Sequence, residues 1–241
     1  MAYFNKIKNL LLHFFFPRVC FACGIDMDRK DNNLLCPTCQ KDLKPIEGLI
    51  CKRCGLPLKD GGAYCFNCRG SKAAKYKCSF IRSSLYFTPS SRALVHAFKY
   101  EKYIHIAKFF TPIIYKTYLK NPEYFEADLI VPVPIHKSRL KQRGFNQATL
   151  LASGLSAKID VPLLEVLVRK RKTKSQTSLG RKARQENIKE AFICPSPALV
   201  KRKAILLIDD VCTTGATLEE CAKVLKAAGA REVVALTVLR E

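Results

Sequence analysis

Two patterns in this 241-residue chain have the composition and spacing to do chemistry. The first is Asp209-Asp210, which follows the apolar run Ala204-Ile205-Leu206-Leu207-Ile208 and precedes Val211-Cys212-Thr213-Thr214-Gly215-Ala216-Thr217. A buried strand would deliver two adjacent carboxylates to its tip, and a short Thr/Gly turn would lead into a helix. Backbone N–H groups of such a turn, helped by the helix dipole, hold a phosphate. Thr213, Thr214 and Thr217 add hydroxyl donors, while Gly215 and Ala216 leave room for close approach. Asp209 and Asp210 would repel that phosphate, so their partners are neutral hydroxyls nearby, such as a ribose diol. Together the two halves of the pattern suit a ribose phosphate. An ordinary N-capped helix after a strand needs only one acidic or hydroxyl residue. The phosphate loop G-x-x-x-x-G-K-[ST] and the dinucleotide fingerprint G-x-G-x-x-G are both absent.

The second pattern is four C-x-x-C knuckles: Cys20/Cys23, Cys36/Cys39, Cys51/Cys54 and Cys65/Cys68, separated by 12, 11 and 10 residues. Two knuckles close a four-thiolate cage around one Zn²⁺, so two structural zinc ions are expected. The simplest pairing is sequential, and an interleaved pairing is also open. Disulfides need an oxidising compartment, and a redox C-x-x-C stands alone beside a βαβ unit. Gly24 and Gly55 directly follow their knuckles, where the tight turn favours positive φ. Closed cages carry no catalysis. Cys78, Cys194, Cys212 and Cys221 fall outside the pattern and read as ordinary buried or loop cysteines.

These residues need elements to position them. The chain is α/β in texture from about residue 79: a parallel sheet with helices on its faces, preceded by a small zinc-ribbon domain over residues 1–78. Strands are expected at residues 80–87, 129–133, 163–168, 204–208 and 233–239. Helices are expected at residues 93–100, 103–119, 146–158 and 217–228. Ligands of such sheets bind beyond the carboxyl ends of strands. The cysteine half is poor in apolar runs, and metal supplies the folding energy it lacks. Residues 2–16 read as an amphipathic helix with Phe4, Ile7, Leu10, Leu11 and Phe14 near one face. They have neither the apolar run nor the cleavage site of a signal peptide, and no transmembrane segment is present, so the expected compartment is cytoplasmic.

The acidic signature resembles that of type I phosphoribosyltransferases, which bind 5-phosphoribosyl 1-pyrophosphate (PRPP). The whole chain is similar to the ComF family, which joins a double zinc ribbon to such a domain. Further matches are Ala93-Leu94-Val95 with Phe98-Lys99-Tyr100, Val131-Pro132-Val133-Pro134, and Arg143-Gly144-Phe145-Asn146-Gln147. The spaced set Arg169, Thr173, Gln176, Leu179, Arg184, Asn187 and Phe192 completes them. The resemblance covers the chain from about residue 16 to its last residue. It implies that Asp209 and Asp210 hold the ribose hydroxyls and that Thr213 to Thr217 hold the 5′-phosphate. It also implies a loop after Pro132 to Pro134 near the pyrophosphate, a mobile hood around residues 171–188, and a link to DNA uptake in natural transformation.

Lys and Arg total 42 against 20 Asp and Glu, a formal net charge of +22. Residues 136–184 hold 13 of those cations and two acids, half the excess in a fifth of the length. Lys137 and Arg143 are assigned to the ligand's pyrophosphate, for which Lys and Arg are natural donors. One pyrophosphate cannot use thirteen cations. Arg139, Lys141, Arg169, Arg171, Lys174, Arg181 and Arg184 are therefore assigned to single-stranded nucleic acid; a merely solvated basic face is the simpler alternative.

If the chain is an enzyme, pyrophosphate leaves the anomeric carbon through an oxocarbenium-like transition state, with Mg²⁺ bridging diol and pyrophosphate. No general base stands out; His96, His105 and His136 qualify by residue type alone. Three functions follow: a phosphoribosyltransferase, a PRPP-sensing and DNA-binding protein without turnover, or an adaptor whose zinc module docks a competence helicase. The intact acidic signature speaks against the third acting alone.

Overall fold

The computed structural model describes residues 18–28, 33–58, 61–70, 76–121, 126–172 and 186–241. The expected helix over residues 2–16 lies outside them. In the cysteine region, β1 (Arg18–Val19) pairs antiparallel with β2 (Asp26–Met27) around the first knuckle, and α1 (Pro37–Lys41) starts inside the second. Pro37 sits in the first helical turn, where its missing N–H costs nothing.

The remainder alternates: β3 (Ile81–Tyr86), α2 (Pro89–Tyr100), α3 (Ile106–Leu119), β4 (Leu129–Pro132), α4 (Lys137–Arg143), α5 (Gln147–Ile159), β5 (Val168–Arg169), β6 (Phe192–Ile193), β7 (Ala204–Cys212), α6 (Ala216–Ala227) and β8 (Glu232–Arg240). The four long strands form one parallel sheet in the order β3-β8-β7-β4. A sheet covered on both faces needs continuously apolar central strands, and β7 and β8 have them. Alternation along β7 then splits the core. Leu206 and Ile208 join Leu94, Phe98, Phe110, Leu151 and Leu155 on one face; Ile205 and Leu207 join Leu218, Cys221 and Leu225 on the other.

Three expectations need correction. Residues 163–168 do not form a strand: Leu163 makes a single bridge to Ile130, and regular pairing resumes only in β5. Pro162 brings no N–H, and Leu164 and Glu165 turn to solvent. Helix α2 begins four residues before the expected start. Thr88 and Ser91 exchange hydrogen bonds in a capping box, and Pro89 opens the helix. Strand β7 extends through Cys212, so both aspartates belong to the strand, with Asp209 in register with Thr237.

The cysteine region is seated on β3. The Ile81 N–H donates to the Arg53 carbonyl at 2.6 Å, and Arg82 Nη1 donates to the Lys52 carbonyl at 3.1 Å. Gly55 has φ +67°, and a Cβ there would stand 2.6 Å from the Ile81 oxygen, so this turn admits only glycine. No helix among the described residues is long and apolar enough to cross a membrane.

Candidate functional site

Where β7 leaves the sheet, period-two alternation turns Asp210 toward the α2 face and Asp209 toward the α6 face. Asp209 Oδ1 accepts from the Asp210 backbone N–H at 2.8 Å. Burial and the neighbouring Asp210 carboxylate push Asp209 up to about 7, against a smaller opposing pull from Lys99. On the other side, Lys99 Nζ lies 2.8 Å from Asp210 Oδ2, with side chains 21% and 10% exposed.

Lys99 is a site residue that the sequence reading did not select. Its only signal was its place in Phe98-Lys99-Tyr100. Its position is fixed from behind. Phe98 is fully buried, and its carbonyl accepts from Gln147 Nε2 at 3.1 Å; Gln147 Oε1 in turn accepts from Arg143 Nη1 at 3.1 Å.

The acid pair opens into a cleft of about 290 Å³ that Lys99, Arg139, Arg143, Arg169, Thr213 and Thr217 also line. Helix α4 explains the split of the basic belt. His136 accepts from the Ser138 N–H and starts the helix, and Gly144, at φ 86°, ends it. Arg139 and Arg143, four residues apart, share the face toward the cleft, whereas Lys137 and Lys141 are exposed outside its lining. Asn146 caps α5 and donates from Nδ2 to the Val133 carbonyl at 3.0 Å, which ties this corner to the end of β4.

Burial and the neighbouring Arg139 lower Arg169 to about 10, and burial followed by Arg143 lowers Arg139. These cations are crowded and partly stripped of water, an arrangement that a multivalent anion relieves. Arg139 and Arg169, assigned above to nucleic acid, thus face the same cleft as the acid pair. Arg171 is exposed and donates to the Asn187 and Lys189 carbonyls at 3.1 and 2.6 Å. Lys174, Arg181 and Arg184 lie outside the described residues, as does most of the expected hood.

Between β7 and α6, Thr213 to Ala216 form the turn. Gly215 has φ +78°, and the Thr214 hydroxyl accepts from the Ala216 N–H at 3.3 Å. One flank of the turn faces the cleft through Thr213. Thr213, Thr214, Gly215 and Ala216 also wall a second cavity of about 400 Å³ shared with Arg53, Cys54 and Cys68. Of the three candidate histidines named above, His96 alone lines the cleft, its Nδ1 3.2 Å from Glu101 Oε1. His136 is occupied as a helix cap, and His105 starts α3.

The eight knuckle cysteines gather sequentially. Cys20, Cys23, Cys36 and Cys39 form one cluster and Cys51, Cys54, Cys65 and Cys68 the other, each with all sulfurs within 4.8 Å of one another. Zn–S bonds of about 2.3 Å in a tetrahedron place sulfurs about 3.8 Å apart. The Cys23–Cys36 and Cys54–Cys65 separations are 3.7 and 3.6 Å. Both clusters therefore fit a structural Zn²⁺, and the interleaved pairing is excluded. The Cys36 N–H points at Cys20 Sγ at 3.3 Å, the outer hydrogen bond a thiolate ligand uses.

Comparison with known proteins agrees with both halves. Residues 11–69 match the family described as a double zinc ribbon domain, and residues 143–241 match the phosphoribosyl transferase domain. Competence protein F of Haemophilus influenzae is 33% identical over 229 residues, which are 91% of this chain and 95% of that protein. Competence protein ComFC of Bacillus subtilis is 30% identical over 88% of this chain and 86% of its own length. DNA utilization protein YhgH of Escherichia coli K12 is 27% identical over 90% and 94%.

Proposed function

Because this chain belongs to the ComF family of competence proteins, we propose that it binds PRPP with Mg²⁺, transfers the phosphoribosyl group to an acceptor amine or base, and serves DNA uptake. One observation carries this reading: a carboxylate pair, Thr213 and Thr217 from the two ends of the Thr/Gly turn, and five cationic side chains, Arg92, Lys99, Arg139, Arg143 and Arg169, line a single cleft. The Asp209 and Asp210 carboxylates accept hydrogen bonds from the ribose hydroxyls and orient the ring. Thr213 to Thr217 take the 5′-phosphate through hydroxyls and backbone N–H groups. Arg139, Arg143 and Arg169 take the pyrophosphate.

In the transfer step the acceptor lone pair forms the new bond to the anomeric carbon, pyrophosphate departs with the old bonding pair, and the acceptor proton passes to solvent. The acid pair beneath the ring favours the positive charge that develops there. A Mg²⁺ ion bound with the ligand beside Asp209 and Asp210 would supply Lewis-acid stabilisation to the departing pyrophosphate. The eight thiols must stay reduced to hold metal, which favours the cytoplasm.

Calorimetry with PRPP and Mg²⁺ tests the binding, and pyrophosphate release with candidate acceptors tests turnover. Heat without release leaves a PRPP sensor; no heat ends the reading. The elevated Asp209 also sets a pH dependence. Only the ionised carboxylate accepts both hydroxyl hydrogens, so its binding form grows as pH rises through about 7. PRPP affinity is expected to climb roughly tenfold between about pH 6 and about pH 8. A flat calorimetric profile over that window would contradict the role given to Asp209.

A second reading, single-stranded DNA binding, has its own observation. Lys137, Lys141, Lys170, Arg171 and Lys172 are exposed beside the cleft rather than inside it. Such cations fit a nucleic-acid backbone. The logarithm of the affinity for a labelled oligonucleotide should then fall with the logarithm of salt, by about 0.7 per phosphate contact. Replacing Lys137 and Lys141 with Gln should flatten that slope by about one to two contacts. An affinity indifferent to ionic strength would discard the reading.

A further inference from the structure

We infer that Lys99 selects pyrophosphate-bearing ribose over plain ribose 5-phosphate by moving between Asp210 and the pyrophosphate, an inference that rests on the PRPP reading above. Lys99 is a cation of the cleft placed on a carboxylate that the ribose must use, 2.8 Å from Asp210 Oδ2. Its neighbours there, Arg139, Arg143 and Arg169, already concentrate positive charge. The ion pair therefore offsets one of the open cleft's excess positive charges, and it blocks the oxygen that a ribose hydroxyl needs.

Exchange of that ammonium for a neutral hydroxyl weakens the bond to Asp210. A ligand that brings a pyrophosphate offers the ammonium a new anionic partner in the same cleft, so the exchange is nearly balanced. Ribose 5-phosphate carries its only anion at the far end, on the Thr213 to Thr217 turn, and offers none. It must leave Lys99 on Asp210 and bind with one carboxylate obstructed. The backbone under Lys99 does not need to shift, because the Phe98 carbonyl is pinned by Gln147. Rotation of a flexible four-carbon stem suffices. Lys99 is thus a specificity-determining residue that acts on two groups in turn.

The test compares two ligands on three proteins. PRPP with Mg²⁺ and ribose 5-phosphate with Mg²⁺ are titrated by calorimetry into the unaltered chain, Lys99→Met and Lys99→Arg. The Met variant should lose roughly 10- to 100-fold in PRPP affinity while ribose 5-phosphate binds equally well or better. The Arg variant should keep most of the discrimination. Equal losses for both ligands in a Met variant with an unchanged circular-dichroism spectrum would mean that Lys99 is only a structural counter-ion, and would overturn the inference. Unchanged PRPP affinity in that variant would overturn it too. If the Met variant fails to fold, the Arg variant decides: a fall in ribose 5-phosphate affinity equal to that for PRPP refutes the inference, and preserved preference supports it. Failure of the unaltered chain to bind PRPP removes the reading beneath it, an outcome distinct from all of these.

Discussion

Asp209→Asn should abolish measurable PRPP binding, at least a 100-fold loss, while making the protein more stable above neutral pH. The two effects have one cause. The carboxylate sits where burial and Asp210 hold it at about 7, far above an ordinary aspartate at 3.8. The folded state therefore holds the Asp209 proton more tightly than the unfolded chain does. Stability falls as pH rises from about 4 to about 7, and the full cost persists above that window. An isosteric amide removes this cost, worth on the order of 1–3 kcal/mol after allowing for the opening to the cleft. It also replaces one of the two acceptor oxygens that the ribose hydroxyls need with an NH₂ donor.

Asp210→Asn should behave differently. It strands Lys99 in a mostly buried position without its partner, so stability should fall by about 1–3 kcal/mol along with PRPP binding. Urea denaturation at about pH 8, paired with calorimetry, separates the two variants. Loss of stability in Asp209→Asn, or retained affinity in either variant, would contradict the assignment.

Cys51→Ser carries the second large effect. A four-thiolate zinc site supplies on the order of 10 kcal/mol of folding energy, comparable with the whole stability of a domain. Loss of the Cys51, Cys54, Cys65 and Cys68 cage should unfold its own segment, and the damage should not stop there. The cage backbone holds β3 through the Ile81 N–H and Arg82 Nη1 contacts. The Ile81 side chain then lies against the turn: a Cβ on Gly215 would stand 3.2 Å from Ile81 Cδ1. A loosened β3 therefore leaves the phosphate turn without its backing. Zinc content should drop from two ions to one, and PRPP affinity should fall at least tenfold. Cys20→Ser should cost zinc equally but PRPP affinity less, because the first cage does not touch that turn. Metal analysis and calorimetry on both variants check this, and intact PRPP affinity in folded Cys51→Ser would refute the coupling.

Much of this site could be read in the residues themselves. The knuckle spacing gave two cages because tight turns around zinc are local, and the glycines after Cys23 and Cys54 have the positive φ those turns require. The acid pair and phosphate turn were equally legible, since a strand, a turn and a helix start are contiguous in sequence. What could not be read was long-range. Lys99 stands more than a hundred residues from Asp210, and only the packing of α2 on the sheet brings them together. The direction of each belt cation was equally hidden. Helix α4 has no apolar stripe to announce it, yet its phase decides that Arg139 and Arg143 enter the cleft while Lys137 and Lys141 do not. Pairing of residues 163–168 failed as an expectation because propensity alone could not reveal that contact with β4 stops at a single bridge between Leu163 and Ile130.

The most direct measurement is a crystal structure of the full chain soaked with PRPP and Mg²⁺. The account predicts ribose hydroxyl oxygens within about 3 Å of the Asp209 and Asp210 carboxylates, and the 5′-phosphate on the amides and hydroxyls of Thr213 to Thr217. Ligand density seated elsewhere, with the acid pair untouched and Lys99 still on Asp210, would contradict it.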